Sequence, residues 1–222
     1  MQGAARFGFT AALDAIEQRI VRDLKLESVS AFGDLAAGTG SWKGDAVRWR
    51  ASAWEGPRVA LFRTVRVMSD QLEIVNVLGW ARAPLAAPIF GADLVAARPG
   101  SALVVADLSP LDPPAVPHSA LPPWAQRIFS AAPLIERVTI ESAPAVLRRV
   151  DELAVQFVVQ VRSASPAANP AARDAAIERY RVAHLEDERL LTMLTHMFGA
   201  VAAERLLHTV LFPRESTLDV HA

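Results

Sequence analysis

The chain has 222 residues, 52% of them apolar and 21% charged, with a formal net charge of −1. That is enough apolar material for one sizeable core or two small ones, and a near-neutral balance supplies no global basic field for nucleic acid. With no apolar run of roughly 18 residues, no secretion-type N-terminus and no cysteine, the sequence reads as a cytoplasmic protein without membrane spans, disulfides, thiolate nucleophiles or a Cys-ligated iron–sulfur cluster.

In chain order, Ala11 to Leu26 carries Leu13, Ile16, Ile20, Val21 and Leu24 at helical spacing, which predicts an amphipathic helix. Glycine and serine then break the chain between Ser28 and Gly44. From Asp45 the period shortens to two, with Val47, Trp49 and Ala51 alternating with polar residues, a strand pattern. A second strand is predicted around Val59, Leu61, Thr64, Val65 and Val67. The turn Met68-Ser69-Asp70-Gln71 leads to a third strand, Leu72 to Trp80, so these two form an antiparallel hairpin. Ala92–Ala97 and Ala102–Leu108 make another hairpin through Arg98-Pro99-Gly100-Ser101. Proline-rich Pro110 to Pro123 is loop, Trp124 to Phe129 a short helix, and Leu134 to Ile140 a further strand. The period then returns to that of a helix. Ala143 to Val161 presents Val146, Val150, Leu153, Phe157 and Val158 on one face, and Ser163 to Pro170 is a connector. Ala171 to Met197 is a long helical pattern broken near its middle, and Ala200 to Leu211 the last helix. Strands flanked by helices before and after predict an antiparallel sheet covered by helices in one domain, residues 1–222.

Common chemical kits are missing. There is no G-x-G-x-x-G, P-loop or G-x-S-x-G motif, and the five histidines show no close metal spacing. His184 and Glu188, one helical turn apart, read as a solvated pair. Electrons, if used, must come from a separate carrier.

The most informative stretch is Pro88-Ile89-Phe90-Gly91-Ala92-Asp93, followed fourteen residues after Asp93 by Asp107-Leu108-Ser109-Pro110. Asp93 opens an apolar strand. It is either a turn residue capping backbone amides or a carboxyl held protonated by burial, able to donate a proton near neutrality. Asn76, seventeen residues earlier in an apolar strand, either finds buried partners or faces solvent. The run Glu186-Asp187-Glu188-Arg189 is either a charged helix face or the source of a second acid. Strand arginines such as Arg58, Arg63, Arg66 and Arg82 are expected to point to water.

The blocks PIFGADLV, ALVVADLSP and LPPWAQRIFS (Leu121 to Ser130) resemble the central signature of the ferredoxin-dependent bilin reductases. The C-terminal part agrees in kind, with Tyr180, the Asp187-Glu188 pair, Phe198-Gly199 and Thr209-Val210-Leu211-Phe212. The resemblance covers Arg58 to Phe212. It implies an α/β fold, a three-layer α/β/α sandwich with a central, mainly antiparallel sheet. It also implies a function: reduction of biliverdin IXα to a phytobilin of dihydrobiliverdin, phycoerythrobilin or phycocyanobilin type. Single electrons from an external reduced ferredoxin would drive this through radical intermediates, with no bound cofactor and no metal. Asp93 would be the central proton donor, Asn76 an orienter, and Asp187 or Glu188 the second acid. Arg98, Arg189, Thr64 and Phe90 are the substrate contacts expected from this reading, the arginines for the pigment's propionates. Phycocyanobilin-forming members carry His and Glu where this chain has Asn76 and Thr64, a departure that alters the usual central pair. Arg148, Arg149, Arg179 and Arg181 are expected to form a basic patch for the acidic ferredoxin. Haem oxygenase would lie upstream, and a monomer is expected. The alternatives are a bilin-binding protein of the same fold that does not reduce its ligand, and an unrelated interaction module.

Overall fold

The computed structural model describes residues 7–112, 121 and 123–214. Most of the predicted Pro110–Pro123 loop, with His118, lies outside the described residues, as does His221. Among the described residues eight strands form one sheet: β1 (Glu27–Val29), β2 (Ala37–Trp42), β3 (Asp45–Glu55), β4 (Val59–Met68), β5 (Glu73–Ala81), β6 (Ile89–Arg98), β7 (Ser101–Ser109) and β8 (Leu134–Val138). Their order is β1-β3-β4-β5-β6-β7-β8, with β2 also pairing β3, and every pairing is antiparallel. Helices α1 (Phe9–Leu24) and α3 (Ala143–Ser163) cover one face. Helices α2 (Pro123–Gln126), α4 (Pro170–Leu185), α5 (Glu188–Phe198) and α6 (Ala200–Arg205) cover the other, followed by a π-helical turn, Leu206–Leu211. The fold is a three-layer α/β/α sandwich.

Two separate cores follow from the period-two alternation of the strands. On the α1/α3 face, Leu13, Ile16 and Ile20 of α1 and Val146, Val150 and Phe157 of α3 pack on Phe62, Val75, Val77 and Phe90. On the other face, Val65, Val67, Ile74 and Leu78 meet Ile177, Leu194, Met197 and Leu206. Strand β4 is buried on both faces over most of its length, so its sequence loses clean alternation.

The break predicted over Ser28–Gly44 contains two strands. Strand β2 reads as loop because its sequence is Ala-Gly-Thr-Gly-Ser-Trp, and glycine weakens a strand unless something must approach its backbone. Here something does. The Trp49 ring lies over its cross-strand neighbour Gly38, where a Cβ would come within 2.1 Å of the ring. At Gly40 a Cβ would sit 2.2 Å from the Met197 carbonyl oxygen and 2.3 Å from the Phe198 ring. Trp49 and Phe198 meet edge to face at 4.6 Å. The glycines thus seat the end of α5 against the sheet. Gly40→Ala should lower stability by about 1–3 kcal/mol, since the obstacle is a backbone oxygen that cannot rotate away; a urea midpoint unchanged from the wild type would contradict this packing.

Candidate active site

A cleft of about 440 Å³ lies between the sheet and the α4–α6 layer, within the roughly 300–1,000 Å³ common for small-molecule sites. Its wall is mostly Val, Leu, Ile, Met and aromatic side chains. The ionisable or amide-bearing exceptions are Asn76, Asp93, His184, Asp187 and Arg189.

Asn76 on β5 and Asp93 on β6 are directly paired across the sheet, so their side chains leave the same face side by side. Asn76 Nδ2 donates to Asp93 Oδ1. Behind them Arg63 on β4 is fully buried; its Nη1 donates to Asn76 Oδ1, and its Nε and Nη2 donate to the Leu211 carbonyl, the former at 3.1 Å. Burial lowers the guanidinium to about 10, partly offset by the negative charge of Asp93, so Arg63 stays cationic at neutral pH. Asp93 is raised above its ordinary value. Burial is the main cause, opposed by the Asn76 hydrogen bond and the Arg63 charge and reinforced by Asp187. It is held toward its neutral, proton-carrying form.

The opposite wall comes from His184 of α4, the length of α5 and the π-helical turn, and its polar part lies at the α4–α5 joint. Tyr180 is buried with its hydroxyl against β6: a Cβ at Gly91 would meet that oxygen at 2.5 Å. Burial raises its phenol, and the charges of Asp93 and Asp107 raise it further. His184, one turn on, packs against the rings of Tyr180 at 4.3 Å and Phe212 at 4.6 Å. Its Nδ1 lies 2.9 Å from the Tyr180 carbonyl oxygen, which only accepts, so Nδ1 carries the hydrogen of the neutral ring. The long C-terminal helical pattern breaks at Glu186-Asp187. There Asp187 caps α5 by accepting the Arg189 backbone N–H at 3.1 Å.

The structure sorts the sequence-derived residues. Asp93, Asn76, Asp187 and Arg189 meet at the cleft. Glu188, the first residue of α5, is exposed and does not line it. Thr64 and Phe90 lie on the opposite face of the sheet, because both have the wrong parity for the cleft. Thr64 donates to Glu17 of α1 at 2.8 Å, and Phe90 stacks on Phe157 of α3 at 5.6 Å. Arg98 sits exposed at the β6–β7 hairpin, off the cleft wall. The arginines expected to form one basic patch are split between two layers. Arg149 pairs with Glu136 on the α3 side, while on α4 Arg181 pairs with Glu178 and Arg179 donates to the Leu111 carbonyl at 2.6 Å.

Three roles do not follow from the sequence pattern. Arg63, which a strand pattern sends to water, is instead the most enclosed cation of the site. His184, whose spacing to Glu188 suggests a solvated pair, is buried at 6% exposure. Asp107 accepts from Ser109 Oγ at 2.9 Å, from the Ser130 backbone N–H at 2.8 Å and from Ser130 Oγ. It therefore bolts the ADLSP block to the end of LPPWAQRIFS, whose Leu121, Ala125 and Phe129 line the cleft. The presence of those two blocks in one order is the available signal for this tie.

His184 gives a test of this burial. Desolvation lowers it to about 4 from 6.5, with the Arg63 charge adding to the lowering and the Tyr180 carbonyl opposing it. A folded-state pKa below the unfolded one gives stability that is complete above pH 6.5 and lost as pH falls toward 4, by roughly 3 kcal/mol. Asp93, raised, acts in the opposite sense, so the difference between His184→Phe and wild type isolates the histidine. Urea unfolding from pH 7 to 4.5 should show a shallower decline in the variant; parallel curves would contradict a buried neutral imidazole.

The family model for ferredoxin-dependent bilin reductases matches residues 13–117, the stretch that carries Arg63, Asn76 and Asp93. No curated protein matches the chain by sequence. Among solved structures, phytochromobilin synthase from tomato, in complex with biliverdin, aligns with a TM-score of 0.80 at 11% identity, over 95% of this chain and 84% of its own. The structure of PcyX aligns with a TM-score of 0.59 at 14% identity, over 90% of this chain and 98% of its own. At such identities the likeness is one of fold. The family match falls on the strands that build the acid and amide pair, and the fold around them is shared with both solved structures.

Proposed function

We propose that the cleft takes biliverdin IXα and that the protein reduces it to a phytobilin with electrons from reduced ferredoxin. The observation that carries this reading is Asp93: a carboxyl whose hold on its proton burial strengthens, on the wall of an apolar slot, with an amide beside it and a cation behind. The match to the bilin reductase family model over residues 13–117 and the biliverdin complex of the tomato synthase support the choice of ligand and electron donor.

Biliverdin is a flat conjugated system with two propionates. An apolar slot suits its rings, and Arg189, exposed at the edge of the cleft, suits one carboxylate. Protonation by Asp93 makes the pigment a better electron acceptor. Ferredoxin passes one electron at a time, so a pigment radical forms between the two transfers, and each reduced double bond takes up two electrons and two protons. Asn76 is an amide and has no proton of comparable acidity to give. The second proton therefore falls to Asp187, the other carboxyl on the cleft wall, rather than to exposed Glu188. An amide in place of an imidazole beside Asp93 favours a first step at the 15,16 bridge or another non-vinyl position. The protein is read as one cytoplasmic, monomeric domain fed by haem oxygenase. No helix among the described residues is long and apolar enough to cross a membrane.

Anaerobic assay with biliverdin and reduced ferredoxin tests the reading. The wild type should shift the pigment's absorption bands to those of a reduced bilin; binding without bleaching would point to a carrier instead. Asp93→Asn should bind pigment and lose about 100-fold or more in reduction rate, the scale of a positioned general acid. Asp187→Asn should stall after the first proton, and Glu188→Gln should run near the wild-type rate; normal product yield from Asp93→Asn would refute the assignment.

A further inference from the structure

Arg63 does not line the cleft, yet it sits at the root of the acid and amide pair. Its guanidinium has five N–H donors and no acceptor. Asn76 can face it only with its carbonyl oxygen, so Nδ2 is turned to Asp93, as observed. Asp93 Oδ1 must then accept. A neutral carboxyl accepting at Oδ1 carries its hydrogen on Oδ2, the oxygen that Asn76 does not occupy. The guanidinium itself cannot turn, because Nε and Nη2 are both spent on the Leu211 carbonyl of the π-helical turn. Arg63 thus donates both to the Leu211 carbonyl and to Asn76, and Asn76 donates in turn to Asp93, so the donor sense from the guanidinium to the acid is fixed.

We propose that Arg63 is a positioning residue for pigment reduction, which by presenting only donors to Asn76 dictates the oxygen of Asp93 that holds the transferable proton. The inference rests on the reading of the cleft as a bilin reductase site. In the transfer, the Oδ2–H bond of Asp93 breaks, the proton bonds to the pigment, and the carboxylate left behind keeps the Asn76 hydrogen bond and the nearby positive charge. The electron comes from reduced ferredoxin, so the protein itself is neither oxidised nor reduced.

Two substitutions separate this role from simple support of the fold. Arg63→Lys keeps a donor-only group while the ammonium is charged. Arg63→Gln offers an acceptor and releases the amide to flip. Biliverdin affinity, read by absorbance titration, should change little in either, since Arg63 is off the cleft wall. The reduction rate should fall roughly 10- to 100-fold in Arg63→Gln at every pH. Arg63→Lys should retain more activity at pH 6 and lose it as pH rises, because a buried lysine deprotonates where arginine does not. The groups that face Asp93 are Arg63 from β4, Tyr180 and His184 from α4, and Asp187 and Arg189 at the start of α5. All but Arg63 are common to the three proteins, so a new alkaline limb belongs to the lysine. Should Arg63→Gln fail to fold, Asn76→Asp decides: it keeps an ion pair for Arg63 but gives Asp93 an acceptor neighbour, drawing its proton inward, so pigment should bind and reduction should stall. Wild-type turnover in Arg63→Gln, matching pH profiles for wild type and Arg63→Lys, or full activity in Asn76→Asp would overturn the proposal. A wild type that reduces no biliverdin would sink the functional reading first, independently of Arg63.

Discussion

A positive charge enclosed in the apolar layer of the protein governs how the rest is arranged. Taking a guanidinium out of water is costly unless donors and charge are met. Arg63 is met by the Leu211 carbonyl, the Asn76 oxygen and the nearby Asp93. The sheet alone could not do this. The carbonyl comes from the far end of the chain, 148 residues away, so the C-terminal turn must close over β4 before the charge is satisfied. The same charge tempers Asp93, which burial alone would drive further toward the neutral form. One buried cation thus joins the last turn of the fold to the acid on its central strands.

The cleft has two walls of different character. The sheet wall is held by register: Asn76 opposite Asp93, with Val65 and Val105 on either side. The helical wall is held by rings and caps, with His184 between the neighbourhoods of Tyr180 and Phe212, and Asp187 at the joint between two helices. Backbone pairing gives the first wall little freedom, whereas the second depends on side-chain packing. Asn76 and Asp93 sit on the sheet wall, whereas Asp187 and many of the apolar side chains that enclose the cleft sit on the helical one.

Period explains which parts of this are legible in the sequence. The apolar stripes of α1 and α3 are regular, and the hairpins β4–β5 and β6–β7 are marked by their short turns; each is present where the pattern predicts it. Strand β2 is hidden because aromatic rings, not its own side chains, fill the space above its glycines. Asp93 and Asn76 stand out as polar residues in apolar strands. Thr64 and Phe90 are assigned by resemblance and fall on the wrong side, since a difference of one residue in a strand reverses the face. Arg63 is the hardest to see. A strand arginine normally faces water, and only the carbonyl of a residue far along the chain makes its burial tolerable.

The contact between Tyr180 and Gly91 carries a consequence for descent. The phenol oxygen fills the space that any side chain at position 91 would need. The two sites lie on different elements, far apart along the chain, yet neither is free to drift alone. A lineage that acquires a methyl group on the strand must shorten or move the ring on the helix, and one that gives up the ring leaves a hole beside the acid. Covariation between these two columns in related sequences would be the historical trace of that steric bond.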